Sequence, residues 1–144
     1  MVELQPGTYD VTVNEDNEQG MFTFTGTIVV QMGQGVRSYT IQLVKESVTV
    51  SGEATYNGQG ISDLFVDFIS DLTVDNNTAV DTDATTLSTG EYSVELMPGT
   101  YIIAIEEEVN ESGTLFVYTY SDNIQVSLID DPVSKDIILT REQQ

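Results

Sequence analysis

The sequence contains no histidine, no cysteine and no tryptophan, and only four of its 144 residues are lysine or arginine. Without histidine and cysteine, the chain can form no Ser-His-Asp or Cys-His nucleophile system, no thiolate zinc site and no haem or iron–sulfur ligation. A carboxylate pair can hydrolyse glycosides, but no constellation of residues typical of an active site is visible. We therefore expect a protein that is not an enzyme and has no cofactor, with calcium as the candidate ion.

Acidic residues dominate the charge of the chain. Twenty-four of them give a formal net charge of −20 at pH 7. Binding to nucleic acid and to anionic headgroups depends on basic side chains that neutralise phosphates, so we expect neither partner. Apolar runs also fall short of the ~20 residues of a spanning helix, and we expect no membrane insertion. Repulsion among the like charges destabilises a compact fold unless salt or divalent cations screen it.

Two features predict an extracellular or cell-surface location. A chain without cysteine suits an archaeal or bacterial exterior protein, because the core of such a protein must hold the fold without disulfides. Asn76-Asn77-Thr78 and Asn110-Glu111-Ser112 match the glycosylation acceptor pattern, and both fall in predicted loops.

The main feature of the sequence is an internal repeat. Residues 2–9 return at residues 94–101 with seven of eight positions identical. Further matches follow along both copies: Gly20, Phe22 and Phe24 with Gly113, Leu115 and Val117, Ile28 and Val30 with Ile124 and Val126, and Ser38, Ile41 and Leu43 with Ser134, Ile137 and Leu139. Residues 1–46 and 94–142 are therefore two copies of one unit.

The repeat predicts the domain organisation. Only the second copy is preceded by the material of residues 47–93. Residues 1–46 are thus predicted to be the C-terminal half of a β-sandwich repeat, and residues 47–144 a complete repeat. The spacing of the copies is near the usual size of one domain, which indicates an array of domains and not a solenoid.

Alternation of apolar and polar residues predicts strands along most of the chain. Residues 61–72 are also predicted to be a strand, since Val66, Phe68 and Ser70 alternate with polar and apolar neighbours; a short helical turn is the alternative. Turn residues such as Asn57-Gly58 and Pro98-Gly99 separate the strands. This pattern predicts an all-β fold, an antiparallel Ig-like or prealbumin-like β-sandwich.

Three segments carry a resemblance to a known family. They are Val48-Thr49-Val50-Ser51-Gly52, Gly60-Ile61-Ser62-Asp63-Leu64-Phe65-Val66, and the run Gly-x-Tyr-x-x-x-Leu-x-Pro-Gly-x-Tyr at residues 90–101. Together they resemble the carboxypeptidase regulatory-like domain, a transthyretin-like seven-strand sandwich, and are similar to the collagen-adhesin B-type repeat. The resemblance implies surface-exposed spacer, adhesion or display modules in tandem, without peptidase activity.

Acidic residues before Gly90 are candidate calcium ligands. Asp75, Asp81, Asp83 and Glu91 supply the oxygen atoms that calcium prefers. Their spacing does not match the EF-hand loop. A solvated acidic loop is the alternative interpretation.

An aromatic row allows two interpretations. Phe116, Tyr118 and Tyr120 share one face of a predicted strand and could pack in the core or stack against sugars. We predict an extracellular structural or adhesion module of a tandem-repeat cell-surface or filament-forming protein, acting as a spacer or assembly unit. The alternative is a carbohydrate- or calcium-binding accessory module of a secreted enzyme.

The incomplete first copy predicts self-association. Residues 1–46 are near the ~40-residue limit for independent folding, and they lack the strands that should complete their sandwich. We expect self-association through residues 1–46, with packing against the complete domain of the same chain as the alternative. Polysaccharide and other surface proteins are further candidate partners.

Overall fold

The computed structural model describes residues 1–71 and 81–144, and the chain divides into two compact units, Met1–Glu46 and Ser47–Gln144. The first unit contains β1 (Gly7–Asn17), β2 (Gly20–Val30) and β3 (Val44–Lys45). The described part of the second unit contains β4 (Val48–Tyr56), β5 (Gln59–Gly60), β6 (Phe65–Ser70), β7 (Thr82–Thr85), β8 (Glu91–Leu96), β9 (Gly99–Glu111), β10 (Thr114–Val126), β11 (Val133–Ser134), β12 (Ile137–Ile138) and β13 (Thr140–Gln143). The described residues contain no α-helix and one short 3-10 helix, Leu128–Asp130.

The first unit is a three-stranded sheet in the order β1-β2-β3. β1 and β2 form a long antiparallel hairpin, which runs from the pairing of Gly7 with Val30 to that of Asn17 with Gly20. Because successive side chains of a strand point to opposite faces, the hairpin has one mainly apolar face and one face rich in threonine.

The second unit is built from two sheets. The first has the order β13-β10-β9-β6-β7, and all of its neighbouring strands are antiparallel. In the second sheet, β4 pairs antiparallel with β8 on one side, while β11 and β12 pair with it in parallel on the other. The prediction of an all-β, antiparallel sandwich is confirmed, with the two short parallel pairs as an addition to it.

The core of the second unit lies between these two sheets. It consists of Val48, Val50, Ala54, Leu64, Val66, Phe68, Tyr92, Val94, Leu96, Tyr101, Ile103, Ile105, Tyr118, Ile124, Val126, Ile137 and Leu139. Alternate residues of β8 and β9 enter this cluster, as period-two patterning requires. The rings of Phe68 and Tyr92 are tilted against each other with centroids 6.0 Å apart.

The strand predicted over residues 61–72 is present as β6, but only over Phe65–Ser70; residues 61–64 lie before it, and residue 72 lies outside the described residues. Val66 and Phe68 are fully buried, whereas Phe65 and Ile69 on the other face are 49% and 40% exposed. This alternation excludes the helical turn for β6. Gly90, before β8, has a φ of +86°, and a Cβ there would lie 2.7 Å from the Ala54 carbonyl oxygen, so only glycine fits.

The two sequence copies share a backbone arrangement. Tyr9 lies opposite Ile28 across the first hairpin, and Tyr101 lies opposite Ile124 across the hairpin of β9 and β10. In each copy the tyrosine hydroxyl donates a 2.7 Å hydrogen bond to a carbonyl four residues earlier, that of Gln5 or Met97. A tyrosine that bonds back to the upstream backbone is also found at the corner of immunoglobulin-type sandwiches.

The register corrects one part of the sequence alignment. Phe22 lies opposite Lys45, and Tyr118 lies opposite Arg141, so Phe22 corresponds to Tyr118 and not to Leu115. β1 and β2 have 11 residues each, and β9 and β10 have 13 each. Each strand of the second hairpin is longer by one full period of side-chain alternation, so the hairpin is lengthened without exchanging its faces.

Candidate functional site

Strand β4, at the start of the second unit, pairs in parallel with two short strands near the end of the chain. Val133 lies opposite Val50, and Ile138 lies opposite Thr55. A single register therefore joins residues 50–55 to residues 133–138. We call this pairing the parallel seam.

Hydrogen bonds to backbone carbonyls and to carboxylates hold the strands of the seam together. Four N–H groups donate across or beside it: Lys135 to the Ser51 carbonyl at 2.8 Å, Leu139 to the Thr55 carbonyl at 2.8 Å, Thr49 to Asp131 Oδ1 at 2.8 Å and Glu53 to Asp136 Oδ1 at 3.1 Å. The two carboxylates take the place of backbone acceptors where the short strands stop. Hydrogen bonds to ionised acceptors are stronger than those between neutral groups.

Gly52 is the point of closest approach in the seam. A Cβ at this position would lie 2.0 Å from the Lys135 carbonyl oxygen and 2.6 Å from its carbonyl carbon. The same carbonyl oxygen accepts a hydrogen bond from the Tyr92 hydroxyl on β8. The backbone at Lys135, which we call the crossing segment, is thus held by β4 and by the Tyr92 hydroxyl of β8, and the absence of a side chain at Gly52 makes this possible.

Tyr92 is a core residue whose hydroxyl reaches the seam. Its side chain is 3% exposed. Burial raises the pKa of the Tyr92 hydroxyl well above its usual value near 10, with smaller contributions from Tyr120 and Asp136. The neutral hydroxyl is therefore the form that the fold stabilises.

An ion pair lies on the outer side of the crossing segment. Lys135 Nζ is 2.7 Å from Asp122 Oδ2, and the two side chains are 28% and 49% exposed. The hydrogen bond from Lys135 lowers the pKa of the Asp122 carboxyl, and the same bond raises the pKa of Lys135. Because solvent screens the pair, it contributes little to the free energy of folding.

The aromatic row of β10 faces the core. Tyr118 is fully buried, and its ring meets that of Tyr56 edge-on with centroids 5.8 Å apart. The Arg141 guanidinium lies 4.0 Å from the centroid of Phe116 and 4.4 Å from that of Tyr56. This arrangement is typical of packing with a cation–π contact, and it leaves the ring of Tyr118 no face for a sugar.

Three of the four predicted calcium ligands, Asp81, Asp83 and Glu91, lie within the described residues. Asp81 Oδ1 accepts hydrogen bonds from the backbone N–H and the hydroxyl of Ser70 at 2.8 and 2.9 Å, and the backbone bond is the main cause that lowers the pKa of Asp81. Asp83 lies in β7, and Glu91 begins β8 with its Oε2 accepting from the Thr89 hydroxyl at 2.8 Å. Asp75 lies outside the described residues. Within residues 1–71 and 81–144, no group of three or more acidic side chains is placed to hold a metal ion.

Two of these acidic residues instead lie opposite another carboxylate. Asp83 is the cross-strand partner of Asp67, and Glu91 is the cross-strand partner of Glu53. Like charges directly opposite each other destabilise a sheet. The excess of acidic residues therefore places like charges opposite each other within the sheets.

Only one of the two glycosylation acceptor patterns lies within the described residues. Asn76-Asn77-Thr78 lies outside the described residues. Asn110 lies near the end of β9, and its Oδ1 accepts a 2.9 Å hydrogen bond from the Gly113 N–H.

Among the described residues, no helix is long and apolar enough to cross a membrane.

The chain matches no protein-family model, and a search of curated proteins finds no relative with significant similarity.

The parallel seam is the feature that sequence reasoning missed. Its two-residue strands, β11 and β12, are too short to show alternation. Gly52 was a usable signal, because an isolated glycine inside a strand pattern indicates close backbone approach. The partner of that approach lies more than eighty residues away, at Lys135, and no local pattern reports it.

Proposed function

We propose that the protein is a structural module of a tandem-repeat cell-surface or filament-forming protein, located outside the cell, where it acts as a spacer under tension and as an assembly unit. The observation that carries this proposal is the parallel seam. It connects the first strand of the second unit to strands near the end of the chain.

The direction of the pairing determines how the seam responds to force. Tension on the two ends of the second unit pulls β4 toward its N-terminus and pulls β11 and β12 toward their C-termini. Strands paired in parallel then slide along each other, so the hydrogen bonds of the seam carry the load together. Forced unfolding is governed by the unfolding rate, and a seam that must break as one unit slows that rate.

Composition and repetition also support a structural role. The chain lacks the histidine and cysteine on which many catalytic sites depend. The hairpins of β1 with β2 and of β9 with β10 share a register and a tyrosine contact. Repeated units of this kind suit a protein whose length is set by the number of its modules.

Force spectroscopy on the full chain, held at its two ends, tests the proposal. Fully extended, the second unit spans about 340 Å and the first unit about 160 Å, at about 3.3–3.6 Å per residue. We expect the longer step to require the higher force.

Asp136→Ala removes one seam acceptor, and Asp130→Ala is the matched control because it makes the same charge change in the neighbouring 3-10 helix. Asp136→Ala should lower the force of the longer step, and Asp130→Ala should leave it unchanged. Equal forces for both steps in the parent chain, or equal forces for both variants, would contradict the proposal.

A further inference from the structure

The hairpin of β9 and β10 ends in a two-residue turn beside an acceptor pattern for N-linked glycans. Glu111 pairs with Thr114 across the hairpin. The turn between them consists of Ser112 and Gly113, which have φ values of +53° and +87°. Asn110, Glu111 and Ser112 match the pattern Asn-x-Ser. Asn110 and Ser112, which define the pattern, are both exposed at the tip of the hairpin.

The tip of the hairpin is held so that Asn110 lies on the outer face of the sheet. Successive side chains of a strand point to opposite faces, so Asn110 and Glu111 point in opposite directions. The Glu111 carboxylate accepts hydrogen bonds from Arg141 Nη1 at 3.0 Å and from the hydroxyl of Tyr118, which is a core residue. Glu111 is thus anchored on the core side, and Asn110 is presented to solvent.

The side-chain amide of Asn110 has two ends with different surroundings. Its Oδ1 accepts a 2.9 Å hydrogen bond from the Gly113 N–H. Because only the oxygen of an amide accepts such a bond, this contact also determines which end is Nδ2. Among the described residues, neither Nδ2 nor the Ser112 hydroxyl has a hydrogen-bond partner. The amide nitrogen and the hydroxyl that define an acceptor site are therefore both accessible.

Serine is an unfavourable residue for the first position of this turn. A turn with positive φ at both positions favours Asn, Asp or Gly there, because most side chains are strained at positive φ. The chain follows this preference in the turn Asn57-Gly58 between β4 and β5, where φ is +51° and +77°. Folding alone therefore does not account for Ser112. The acceptor pattern does account for it, because the third residue of the pattern must be serine or threonine.

The first hairpin has a related sequence at its tip but no acceptor pattern. Residues 17–20 are Asn-Glu-Gln-Gly, and residues 110–113 are Asn-Glu-Ser-Gly. Asn17 pairs with Gly20, and neither of the two residues between them has a positive φ. Ser112 in place of Gln19 thus brings both the acceptor pattern and the strained position to the second hairpin.

The edge of β9 near Asn110 leaves room for a bulky group. In the described part of the chain, β6 pairs with β9 only at residues 101–104, although β9 continues to Glu111. Asn110 lies opposite Leu115 of β10, which is partly exposed. An oligosaccharide on Asn110 lies beside this edge, where it obstructs pairing with the strand of another chain.

We infer that Asn110 is the acceptor of an N-linked oligosaccharide. In the reaction, Nδ2 attacks the anomeric carbon of an oligosaccharide carried on a lipid pyrophosphate. The bond from that carbon to the pyrophosphate oxygen breaks, the lipid pyrophosphate leaves with the electron pair, and Nδ2 loses one proton. The inference rests on the proposed function for the location outside the cell, and it deepens that function by naming a modification of the module.

Two variants of Ser112 separate the needs of folding from those of glycosylation in chains made by bacteria, without a glycan. Ser112→Gly should raise the thermal midpoint because glycine is unstrained at positive φ, and Ser112→Thr should lower it because a β-branched residue is strained there. Asn57→Gly is the control, since asparagine already suits its turn, and it should not raise the midpoint. A lower midpoint for Ser112→Gly would show that folding selects the serine, which would contradict the inference.

Secretion of the full chain by eukaryotic cells, behind a signal peptide, tests the inference directly. Thr78→Ala is present in every chain, so that the other acceptor pattern is removed. Intact mass before and after treatment with peptide-N-glycosidase measures the occupancy of Asn110. We expect an oligosaccharide on most copies of the parent chain and of Ser112→Thr, which keeps the pattern, and none on Ser112→Gly or Asn110→Gln.

A secreted parent chain without an oligosaccharide, or one that keeps it after Asn110→Gln, would overturn the inference. The force measurement uses chains made by bacteria, which carry no such glycan. Failure of one proposal therefore does not imply failure of the other.

Discussion

The Lys135 N–H donates a 2.8 Å hydrogen bond to the Ser51 carbonyl, and the Lys135 carbonyl passes so close to Gly52 that a Cβ there would lie 2.0 Å from its oxygen. One backbone segment is thus both bonded to β4 and in contact with it. The seam depends on a glycine at its centre as much as on its hydrogen bonds.

Gly52→Ala should destabilise the second unit by about 1–3 kcal/mol or more, because the added methyl group must displace the Lys135 backbone. Urea unfolding followed by circular dichroism measures the change. Gly7→Ala is the control, since a Cβ at Gly7 would meet nothing closer than 3.7 Å. If Gly52→Ala unfolds at the same urea concentration as the parent chain, the close approach at Lys135 is wrong.

The stability of the second unit should fall as the pH rises above 10. The pKa of Tyr92 is raised in the folded state, so the unfolded chain loses this proton first; the stabilisation is present below the usual tyrosine pKa and is lost as the pH rises above it. Tyr92→Phe removes the hydroxyl and its hydrogen bond to Lys135, which costs about 1 kcal/mol at neutral pH.

Urea melts at pH 8 and pH 11 test this expectation for Tyr92→Phe and for Tyr39→Phe, a change at a residue that is 50% exposed. Tyr92→Phe should lose less stability between the two pH values than the parent chain. Tyr39→Phe should lose as much as the parent chain. An unchanged loss in Tyr92→Phe would show that the buried hydroxyl does not contribute to alkaline unfolding.

Two aspartates in and beside β7 should respond in opposite directions to the same substitution. Asp83→Asn removes a like-charge pair with Asp67 and should stabilise the fold by about 0.5 kcal/mol in dilute buffer. Asp81→Asn weakens the acceptor of both Ser70 hydrogen bonds and should lower the thermal midpoint.

Thermal melts in dilute buffer and in 1 M NaCl separate the two causes, because the Debye length falls to about 3 Å at 1 M. The gain from Asp83→Asn should shrink in salt, since it comes from relief of repulsion. A gain that is the same in both buffers would show that repulsion between Asp67 and Asp83 is not its cause.

Much of the second unit could be predicted from its sequence because its longer strands carry their own signal. Alternation in the sequence puts Val66 and Phe68 on one face of the predicted strand, and both side chains are buried. The candidate calcium ligands had no such support. Their arrangement depends on which strands become neighbours, and Asp83 pairs with Asp67 in a ladder that their separation in sequence does not indicate.

Ile41 and Ile137 show why the remaining features could not be predicted. Both follow the same repeat pattern, yet Ile137 is buried in a parallel pairing with Ala54 and Ile41 is 42% exposed. The difference lies in the presence of β4, a strand far away in sequence. Burial and pairing at such positions are properties of the assembled sheets and not of the segment.

Pulling the second unit in two directions tests whether the parallel seam resists tension. In the cysteine-free chain, one pair of introduced thiols at Glu46 and Gln144 loads the seam along its strands, and a second pair at Asn57 and Gln144 loads it from the end of β4 that pairs with β12. We expect a clearly higher unfolding force for the first pair, because all seam hydrogen bonds then carry the load together, whereas pulling on the second pair breaks them one after another. Equal forces in the two directions would contradict the claim that the parallel seam makes this protein a module that resists tension.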